Sequence, residues 1–269
     1  MSIKSNKSNK PSAEVRQINI KKLLQTQPQI TISELAERFD ISKMTARRDL
    51  DKLEAYGVVR RTFGGAMPTE KMSFEFNFAS RRKLQQKAKW SIAHEAIKLL
   101  KPVNRIIIDN STTALELAYL LKDEYADDLT VVTPSLAVAS VLQYCRNIKV
   151  ILLGGILQMG RPELLGFLTE ENLDKFSVDI AFQSVAAIGP DGTLYNKDVD
   201  TANVHKKIRR RAERVCILAD SSKIGKTSLI TNGFIFDADI FITDEGARSE
   251  NIKAFEKIGA KIVVAKYVL

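Results

Sequence analysis

Residues 33 to 50, which read SELAERFDISKMTARRDL, constrain the fold more strongly than any other stretch of the chain. Ser33 is placed to cap a short helix whose apolar residues recur at helical spacing. The pattern then breaks, and Ser42 is placed to cap a second helix that begins at Lys43. Two short helices joined by a turn of about three residues form a helix-turn-helix. We therefore expect this motif near the N-terminal end of the chain.

The second helix of this motif carries the side chains that we expect to contact DNA. A recognition helix presents its first turns to base edges and phosphates, and here those turns hold Arg47 and Arg48. Leu50 and Leu53 point to the other side and anchor the helix in a small core. The residues of the two helices that we predict to contact DNA are Ser33, Ser42, Lys43, Met44, Thr45, Arg47 and Arg48.

A second DNA-binding element follows the motif. Residues 58 to 63, VVRRTF, alternate in the manner of a strand, and two glycines form a tight turn after them. We predict a wing, a hairpin whose Arg60 and Arg61 lie along the phosphate backbone. A short strand near residues 28 to 32 is expected to pair with the wing. A first helix is expected over residues 14 to 25, with an apolar face formed by Val15, Ile18, Leu23 and Leu24.

The distribution of charge supports the same interpretation. Residues 1 to 65 contain 13 lysines and arginines against seven carboxylates, so they hold +6 of the net charge of +9. Phosphate binding requires such a concentration of positive charge. A basic helix that is merely solvated is the alternative, and it is common, but it does not explain why a wing follows the helix pair. We therefore expect double-stranded DNA as a partner.

The rest of the composition predicts a cytoplasmic protein that does not bind membranes. Cys145 and Cys216 are not paired by their spacing and are expected to stay reduced. The chain begins with polar residues and has no run of about 18 apolar residues, so neither a signal peptide nor a transmembrane helix is expected. No cluster of residues has metal-ligand spacing, so no metal or other cofactor is expected. The predicted parts are a disordered arm (1–12), a winged helix-turn-helix (13–66), a linker (67–80) and a second domain (81–269).

Beyond a long amphipathic helix at residues 82 to 100, apolar runs typical of strands alternate with helical stretches. The predicted strands are 105–108, 129–132, 149–153, 180–188, 215–218, 240–243 and 261–264. The predicted helices between them are 113–121, 135–144, 169–176, 201–214 and 249–258. Continuous β-branched runs between amphipathic helices indicate a mainly parallel sheet covered on both faces. The expected fold is an α+β winged helix-turn-helix followed by an α/β domain.

Ligands of parallel sheets bind beyond the carboxyl ends of the strands, and polar loops follow four of the predicted strands. The loop DNSTT at 109–113 leads into a helix N-terminus, whose hydroxyl groups, N–H groups and dipole suit a phosphate. On its own this signal is modest, because Ser and Thr more often only cap ordinary helices, and the other loops could be surface turns or caps. Four of them together favour a site. The candidate ligand-binding residues are Asp109, Ser111, Thr112, Thr113, Thr133, Gly154, Gly155 and Lys223.

These features together resemble the DeoR family of bacterial transcriptional regulators, from about residue 16 to residue 245. The motifs that carry the resemblance are SELA at 33–36, Ser42, Thr45, RRDL at 47–50, GGA at 64–66, DNSTT at 109–113, VVT at 131–133, LGG at 153–155 and DSSK at 220–223. The resemblance implies a winged helix-turn-helix bound to operator DNA. It also implies a C-terminal domain similar to sugar-phosphate isomerases, which senses a phosphorylated sugar and forms a homo-oligomer. An acidic residue lines the sugar site of the family, which adds Asp200 to the candidates.

The chain departs from the family pattern at the expected ligand site. The phosphate loop of the family usually reads Asp-Ser-Gly-Thr-Thr, so Asn110 and Ser111 replace Ser and Gly, and Pro134 replaces an Asn. A Gly-Ala pair of the family falls where this chain reads QSVA, at residues 183 to 186.

We expect a regulator of carbohydrate catabolism genes, usually a repressor in this family, that a phosphorylated sugar releases from DNA. Two alternatives stay open. An isomerase-like enzyme with an attached DNA-binding domain would need Asp109, Asp200 or Asp220 as a general base. An architectural DNA binder would have no ligand. The same DNA-binding parts serve repressors and activators, and dimers and tetramers.

Overall fold

The computed structural model describes residues 11–24, 27, 29–69, 78, 81–158 and 161–267. The chain divides into two compact units, Met1–Ala79 and Ser80–Leu269. Residues 1 to 10 of the predicted arm, and most of the predicted linker, lie outside the described residues. Ser12, the last residue of the predicted arm, accepts a hydrogen bond from the backbone of Val15 and so caps the first helix.

The N-terminal unit has the predicted winged helix-turn-helix order. Its elements are α1 (Ala13–Leu23), β1 (Ile30–Thr31), α2 (Ile32–Arg38), α3 (Lys43–Ala55), β2 (Val59–Thr62) and β3 (Gly65–Pro68). The three strands form an antiparallel sheet in the order β1-β3-β2, so the predicted strand before the helix pair does join the wing. Met67 and Pro68, which the sequence analysis assigns to the linker, belong to β3.

Two predicted details of this unit are wrong. Val15 and Ile18 do not face the core, since they are 46% and 53% exposed, and fully buried Ile20 takes that place. Ser33 does not cap α2. The cap is Thr31, whose hydroxyl accepts from the backbone N–H of Glu34 while the Glu34 carboxylate accepts from the backbone N–H of Thr31. This reciprocal capping box starts the helix earlier than a lone serine would.

The C-terminal unit is an α/β domain. Its helices are α4 (Gln86–Ile97), α5 (Thr112–Glu124), α6 (Leu136–Leu142), α7 (Phe167–Leu173), α8 (Val199–Arg210) and α9 (Ser249–Lys257). Its strands are β4 (Arg105–Ile108), β5 (Leu129–Thr133), β6 (Ile148–Leu152), β7 (Ile156–Leu157), β8 (Leu164–Leu165), β9 (Val178–Gln183), β10 (Ala187–Ile188), β11 (Thr193–Asn196), β12 (Ala212–Leu218), β13 (Ile230–Phe234), β14 (Ile240–Asp244) and β15 (Ile262–Ala265). Short 3₁₀ turns span Lys98–Leu100, Ser221–Lys223 and Ile235–Asp237.

Seven of these strands form one parallel sheet in the order β15-β14-β12-β9-β4-β5-β6, which confirms the predicted α/β class. The predicted strand over 180–188 is two strands, because the chain leaves the large sheet after Gln183 and β10 joins a small antiparallel sheet with β11 and β13. The predicted helix over 201–214 ends at Arg210, and β12 begins two residues later. The polar pair Gln183-Ser184 coincides with the first change of direction, whereas the basic run at residues 209 to 211 gives no signal for the second.

The strand order fixes where a ligand can bind. From β4 the chain proceeds through β5 to β6 on one side of the sheet, then returns to β9 on the other side of β4 and continues outward through β12, β14 and β15. The order therefore reverses between β4 and β9. A crevice opens outside the carboxyl ends of the strands at such a reversal, and it is the usual binding position in sheets of this kind.

Candidate nucleic-acid interface and ligand cavity

Helix α3 is amphipathic in the way that the sequence predicts. Leu50 and Leu53 are buried with Ala46 on one face. The hydroxyl of Ser42 accepts from the backbone N–H of Thr45 at 3.1 Å and so caps the helix. The predicted contact residues Lys43, Met44, Arg47 and Arg48 are exposed. Within the described residues, the three cations among them have no ion pair, so their charges are available to phosphates or base edges.

A buried ion pair holds α3 against α1, and the sequence analysis missed it. Nε of Arg16 donates to Oδ2 of Asp49 at 2.8 Å, and the two side chains are 10% and 4% exposed. Nε2 of Gln17 adds a longer bond to the other oxygen of Asp49, at 3.2 Å. A signal was present: Asp49 follows buried Ala46 by three residues, so helical periodicity puts it on the buried face.

The two arginines of the wing differ. Arg60 is exposed, with Nη2 near the sulfur of Met67. Arg61 is tied into the unit, since its guanidinium contacts the carboxylate of Asp51 and donates to the backbone oxygen of Gly65. Its backbone N–H also donates to Glu54. Arg61 therefore braces the wing, whereas Arg60 is the freer of the two predicted phosphate contacts. Ser33, the remaining candidate, lies exposed on α2.

A cavity of about 220 Å³ lies within the C-terminal unit at the reversal between β4 and β9. Its walls come from the loops after β4, β9 and β12, from the segment before and within α4, from the start of α8, and from the loop before β8. The lining residues that bear charge or a ring nitrogen are Arg81, Lys89, Arg161, Glu163, Lys197, Asp198, His205, Asp220 and Lys223. The smaller lining residues after β4 and β9 are Asn110, Ser111, Thr112, Ser184, Val185 and Ala186.

The structure brings three of the predicted ligand residues to this cavity, Ser111, Thr112 and Lys223. Ser111 caps α5 by accepting from the backbone N–H of Ala114 at 3.0 Å, so the helix N-terminus borders the cavity. Asp109 is fully buried behind the loop. One of its oxygens accepts from the backbone of Ser111 at 2.9 Å and the other from the backbone of Ser184 at 2.6 Å. Asp109 therefore shapes the two loops that form the wall.

The other predicted ligand residues do not line the cavity. The hydroxyl of Thr133 donates to the backbone oxygen of Ile108 and holds β5 to β4. Thr113 is buried in α5. A Cβ at Gly155 would lie 2.0 Å from the hydroxyl of Thr169, so this glycine permits packing against α7, and Gly154 precedes it on the same turn. Asp200 is exposed and takes a bond from Gln158, while Asp198 faces the cavity.

Two lysines in the cavity wall have pKa values lowered by burial. Lys89 is only 3% exposed, although it lies in α4 among apolar residues. Burial, reinforced by the positive charge of Lys223, lowers the pKa of Lys89 to about 8, although the carboxylate of Asp220 acts in the opposite direction. Burial also lowers the pKa of Lys223, whose Nζ donates to the hydroxyl of Ser184 at 2.7 Å. A bound anion would offset the cost of holding two cations there.

A second group of charges in the wall is already paired. The guanidinium of Arg161 contacts Glu163 through Nε, Asp198 through Nη1 at 3.0 Å, and the hydroxyl of Thr201 through Nη2 at 3.0 Å. Burial raises the pKa of Glu163 even though Arg161 acts against it. Burial alone would raise the pKa of Asp198, but hydrogen bonds from Thr201 and the charge of Arg161 outweigh it and lower that pKa. The positive charge of Arg161 is therefore already matched within this cluster.

The described residues contain no group of three or more His, Cys, Asp or Glu side chains arranged to hold a metal ion. Among the helices in that part of the chain, none has the length and apolar character needed to cross a bilayer.

Comparisons with known proteins match both units of the chain. The model of the DeoR-like helix-turn-helix domain matches residues 16–71, and that of the DeoR C-terminal sensor domain matches residues 84–245. An uncharacterised HTH-type transcriptional regulator of Bacillus subtilis, YulB, is 33% identical over 92% of this chain and 95% of its own. The lactose phosphotransferase system repressor of Lactococcus lactis is 31% identical over 85% of this chain and 89% of its own.

A solved D-ribose-5-phosphate isomerase in complex with phospho-erythronic acid aligns over 51% of this chain and 52% of that one. The identity is 18% and the TM-score 0.38, which carries no functional argument. The two family models together cover most of the chain, and the relatives match along nearly its whole length. The chain belongs to the DeoR family of transcriptional regulators.

Proposed function

We propose that this regulator represses carbohydrate genes, binds operator DNA as a homo-oligomer, and leaves the operator when a phosphorylated sugar occupies the cavity. The name of the Lactococcus relative supports the carbohydrate part, because that protein is the repressor of a lactose phosphotransferase system. Helix-turn-helix proteins usually bind two half-sites through two copies of the recognition helix, which supports the oligomer. Lys43, Thr45, Arg47 and Arg48 would contact the major groove and Arg60 a phosphate.

The observation that carries the effector proposal is the position of buried Lys89 and of Lys223 beside the N-terminus of α5. Phosphate binds where backbone N–H groups and a helix dipole meet cations. Ser111 and Thr112 add hydroxyl donors at the same place. The charge of Arg161 is already matched by carboxylates. Lys89 and Lys223 form no ion pair within the described residues, although the carboxylate of Asp220 acts on the pKa of both. These two lysines and the N-terminus of α5 are therefore the part of the cavity best suited to an anion. We place the phosphate there and the sugar in the remaining space.

We also propose that the cavity binds without turnover. Both oxygens of Asp109 are held by backbone N–H groups, and Oδ1 of Asp220 accepts from the backbone and hydroxyl of Ser222. Asp200 lies outside the cavity wall. Asp109 and Asp200 are therefore not presented to a sugar C–H, and Asp220, which lines the cavity, has one of its two oxygens engaged. Incubation with aldose and ketose phosphates should leave their ratio unchanged, and any protein-dependent interconversion would revive the enzyme alternative.

Operator binding tests the main proposal. The protein is titrated onto the promoter upstream of its own gene at fixed salt, and a panel of sugar phosphates is then added. We expect one phosphate to release the DNA and the unphosphorylated sugar to fail. Lys223→Met should keep operator affinity but lose the response, whereas the exposed Lys226→Met should keep both. Specific DNA binding that no phosphate changes would refute the effector assignment and leave the regulator intact.

A further inference from the structure

A chain of hydrogen-bonded side chains leads from α8 to the cavity wall, and we name it the amide relay. Nη2 of Arg209 donates to the backbone oxygen and to Oδ1 of Asn232, at 2.7 Å each. Nδ2 of Asn232 donates to Oδ1 of Asn196 at 2.6 Å. Nδ2 of Asn196 lies 3.1 Å from Nδ1 of His205. Nε2 of His205 lies 3.2 Å from Oδ1 of Asn110, which lines the cavity.

The direction of every bond in the amide relay follows from its first member. A guanidinium group only donates, so Asn232 turns its Oδ1 to Arg209 and its Nδ2 to Asn196. Asn196 then accepts with Oδ1 and donates with Nδ2. Nδ1 of His205 must therefore carry a lone pair, and the single proton of a neutral imidazole must lie on Nε2. That N–H points to Asn110.

His205 is held in its neutral form. The side chain is almost fully buried, and burial lowers its pKa to about 4, although the carboxylate of Asp109 acts in the opposite direction. Nε2 also lies 3.5 Å from Oδ2 of Asp109, which is consistent with a proton on that nitrogen. The donor that faces Nδ1 and the acceptors that face Nε2 are thus compatible with a single tautomer at neutral pH.

We propose that Asn110 recognises an acceptor oxygen on the sugar part of the ligand through its Nδ2 group, and that the amide relay fixes this polarity. Oδ1 of Asn110 is engaged by His205, and nothing in the described part of the chain accepts from Nδ2. Asn110 adjoins Ser111 and Thr112 at the phosphate end of the cavity. Its amide therefore faces the atoms that follow the phosphate: a ring, carbonyl or hydroxyl oxygen.

This inference rests on the proposed function and makes it more specific. A site built to donate a hydrogen bond discriminates strongly against a ligand that lacks the acceptor, because the donor is then left unpaired away from water. A serine at this position would have a hydroxyl that rotates freely and both donates and accepts. The amide held by the relay has a single polarity, so we expect a narrower choice of ligand in this chain.

The tautomer of His205 tests the polarity without any ligand. Nitrogen-15 NMR of the full-length protein at pH 7 should show Nε2 protonated and Nδ1 unprotonated. Arg209→Met removes the donor that sets the direction, so the two nitrogen shifts should move toward a mixture of tautomers. Arg210→Met, an exposed neighbour on the same helix, should leave them unchanged. Protonation on Nδ1 in the unmodified protein would overturn the inference, whatever the protein binds.

Ligand binding tests the recognition. Calorimetry compares inorganic phosphate with glucose 6-phosphate, fructose 6-phosphate and fructose 1-phosphate, for the unmodified protein and for Asn110→Ala. We expect the variant to bind its best sugar phosphate roughly 10-fold or more weakly, with the affinity for inorganic phosphate changed less than about twofold. Equal losses for both ligands would overturn the role of Asn110. Failure of the unmodified protein to bind any sugar phosphate would instead refute the proposed function, and the tautomer would still decide the polarity.

Discussion

In the N-terminal unit, the cations of α3 lie on the solvent side of a helix whose other face is buried, whereas in the C-terminal unit Lys89 and Lys223 are withdrawn into a cavity wall. The first arrangement costs little, because exposed charges stay hydrated. The second arrangement buries charge, which is unfavourable, so it is stable only when the cations have matched partners or a bound anion. A surface that meets a large polyanion needs charge density, whereas a cavity that selects one small anion needs fixed geometry.

The largest effect is expected at the buried ion pair of the N-terminal unit. This pair is an exception to the contrast, because its charges are buried in the unit whose α3 cations are exposed. Asp49→Asn keeps the shape of the side chain but leaves the guanidinium of Arg16 without a countercharge. We expect the opening free energy of α3 to fall by about 3–5 kcal/mol. Amide hydrogen exchange of the full-length protein measures it.

Asp51→Asn is the matched control for this substitution. It breaks the ion pair with Arg61, in which the Asp51 side chain is 61% exposed, so it should cost at most about 1 kcal/mol. Equal protection of α3 in the two variants would show that burial does not distinguish the two pairs.

The same contrast explains which site the sequence reveals. The recognition helix is one contiguous segment, so helical spacing alone separates exposed Arg47 and Arg48 from buried Leu50. The cavity is assembled from loops far apart in sequence, and only the strand order brings Ser111 to Lys223. The rule that ligands bind beyond the carboxyl ends of parallel strands predicts those two residues. It does not predict Arg161, because Arg161 lies in a loop that follows no strand of the large sheet.

The sequence does mark Lys89, since a lysine between Ala88 and Ile92 interrupts the apolar face of a helix. Asp198 lines the cavity and the predicted Asp200 does not, for a local reason. Asp198 is the N-cap of α8, where its Oδ1 accepts from the backbone of Thr201, and this position turns the side chain toward the preceding loop. Asp200, two residues further along, points out from the first helical turn and is exposed.

The exposed site should lose affinity without losing stability. Arg47→Ala removes one contact to a base edge or phosphate, so we expect operator binding to weaken by about 1–3 kcal/mol. If the contact is to a phosphate, the slope of log affinity against log salt should fall by about 1. Fluorescence anisotropy at several salt concentrations measures both quantities.

Lys52→Ala serves as the control for this variant, because it removes the same charge from the last turn of α3. We expect it to have a smaller effect on both quantities, with the thermal midpoint unchanged in either variant. Identical losses would mean that only net charge matters and that α3 is not the reading element.

The stability of the C-terminal unit should depend on pH through a buried histidine, whereas the N-terminal unit has no histidine to titrate. Both histidines of the chain, His94 and His205, lie in the C-terminal unit. Burial lowers the pKa of His205 from 6.5 to about 4, so between these values the unfolded chain takes up a proton that the folded chain does not. Stability should therefore fall as the pH drops through this window, by about 1.4 kcal/mol per pH unit at most.

Urea unfolding followed by Trp90 fluorescence measures this dependence at a series of pH values. His205→Gln should flatten the slope between pH 6.5 and 4, and His94→Gln serves as the control for loss of a histidine elsewhere. An unchanged slope in His205→Gln would show that the ring is not held neutral.

The smallest effect is expected at a buried side-chain amide. Gln183 ends β9 beside Ile217 of β12 and is fully buried, and within the described residues neither of its amide atoms has a hydrogen-bond partner. Gln183→Met keeps the length of the side chain and removes the unpaired groups, so the free energy of unfolding should rise by about 1–2 kcal/mol. The exposed Gln143→Met should change it by less than about 0.5 kcal/mol. A loss of stability in Gln183→Met would show that this amide is hydrogen-bonded in solution, which would place a water beside the strand end that supports the cavity.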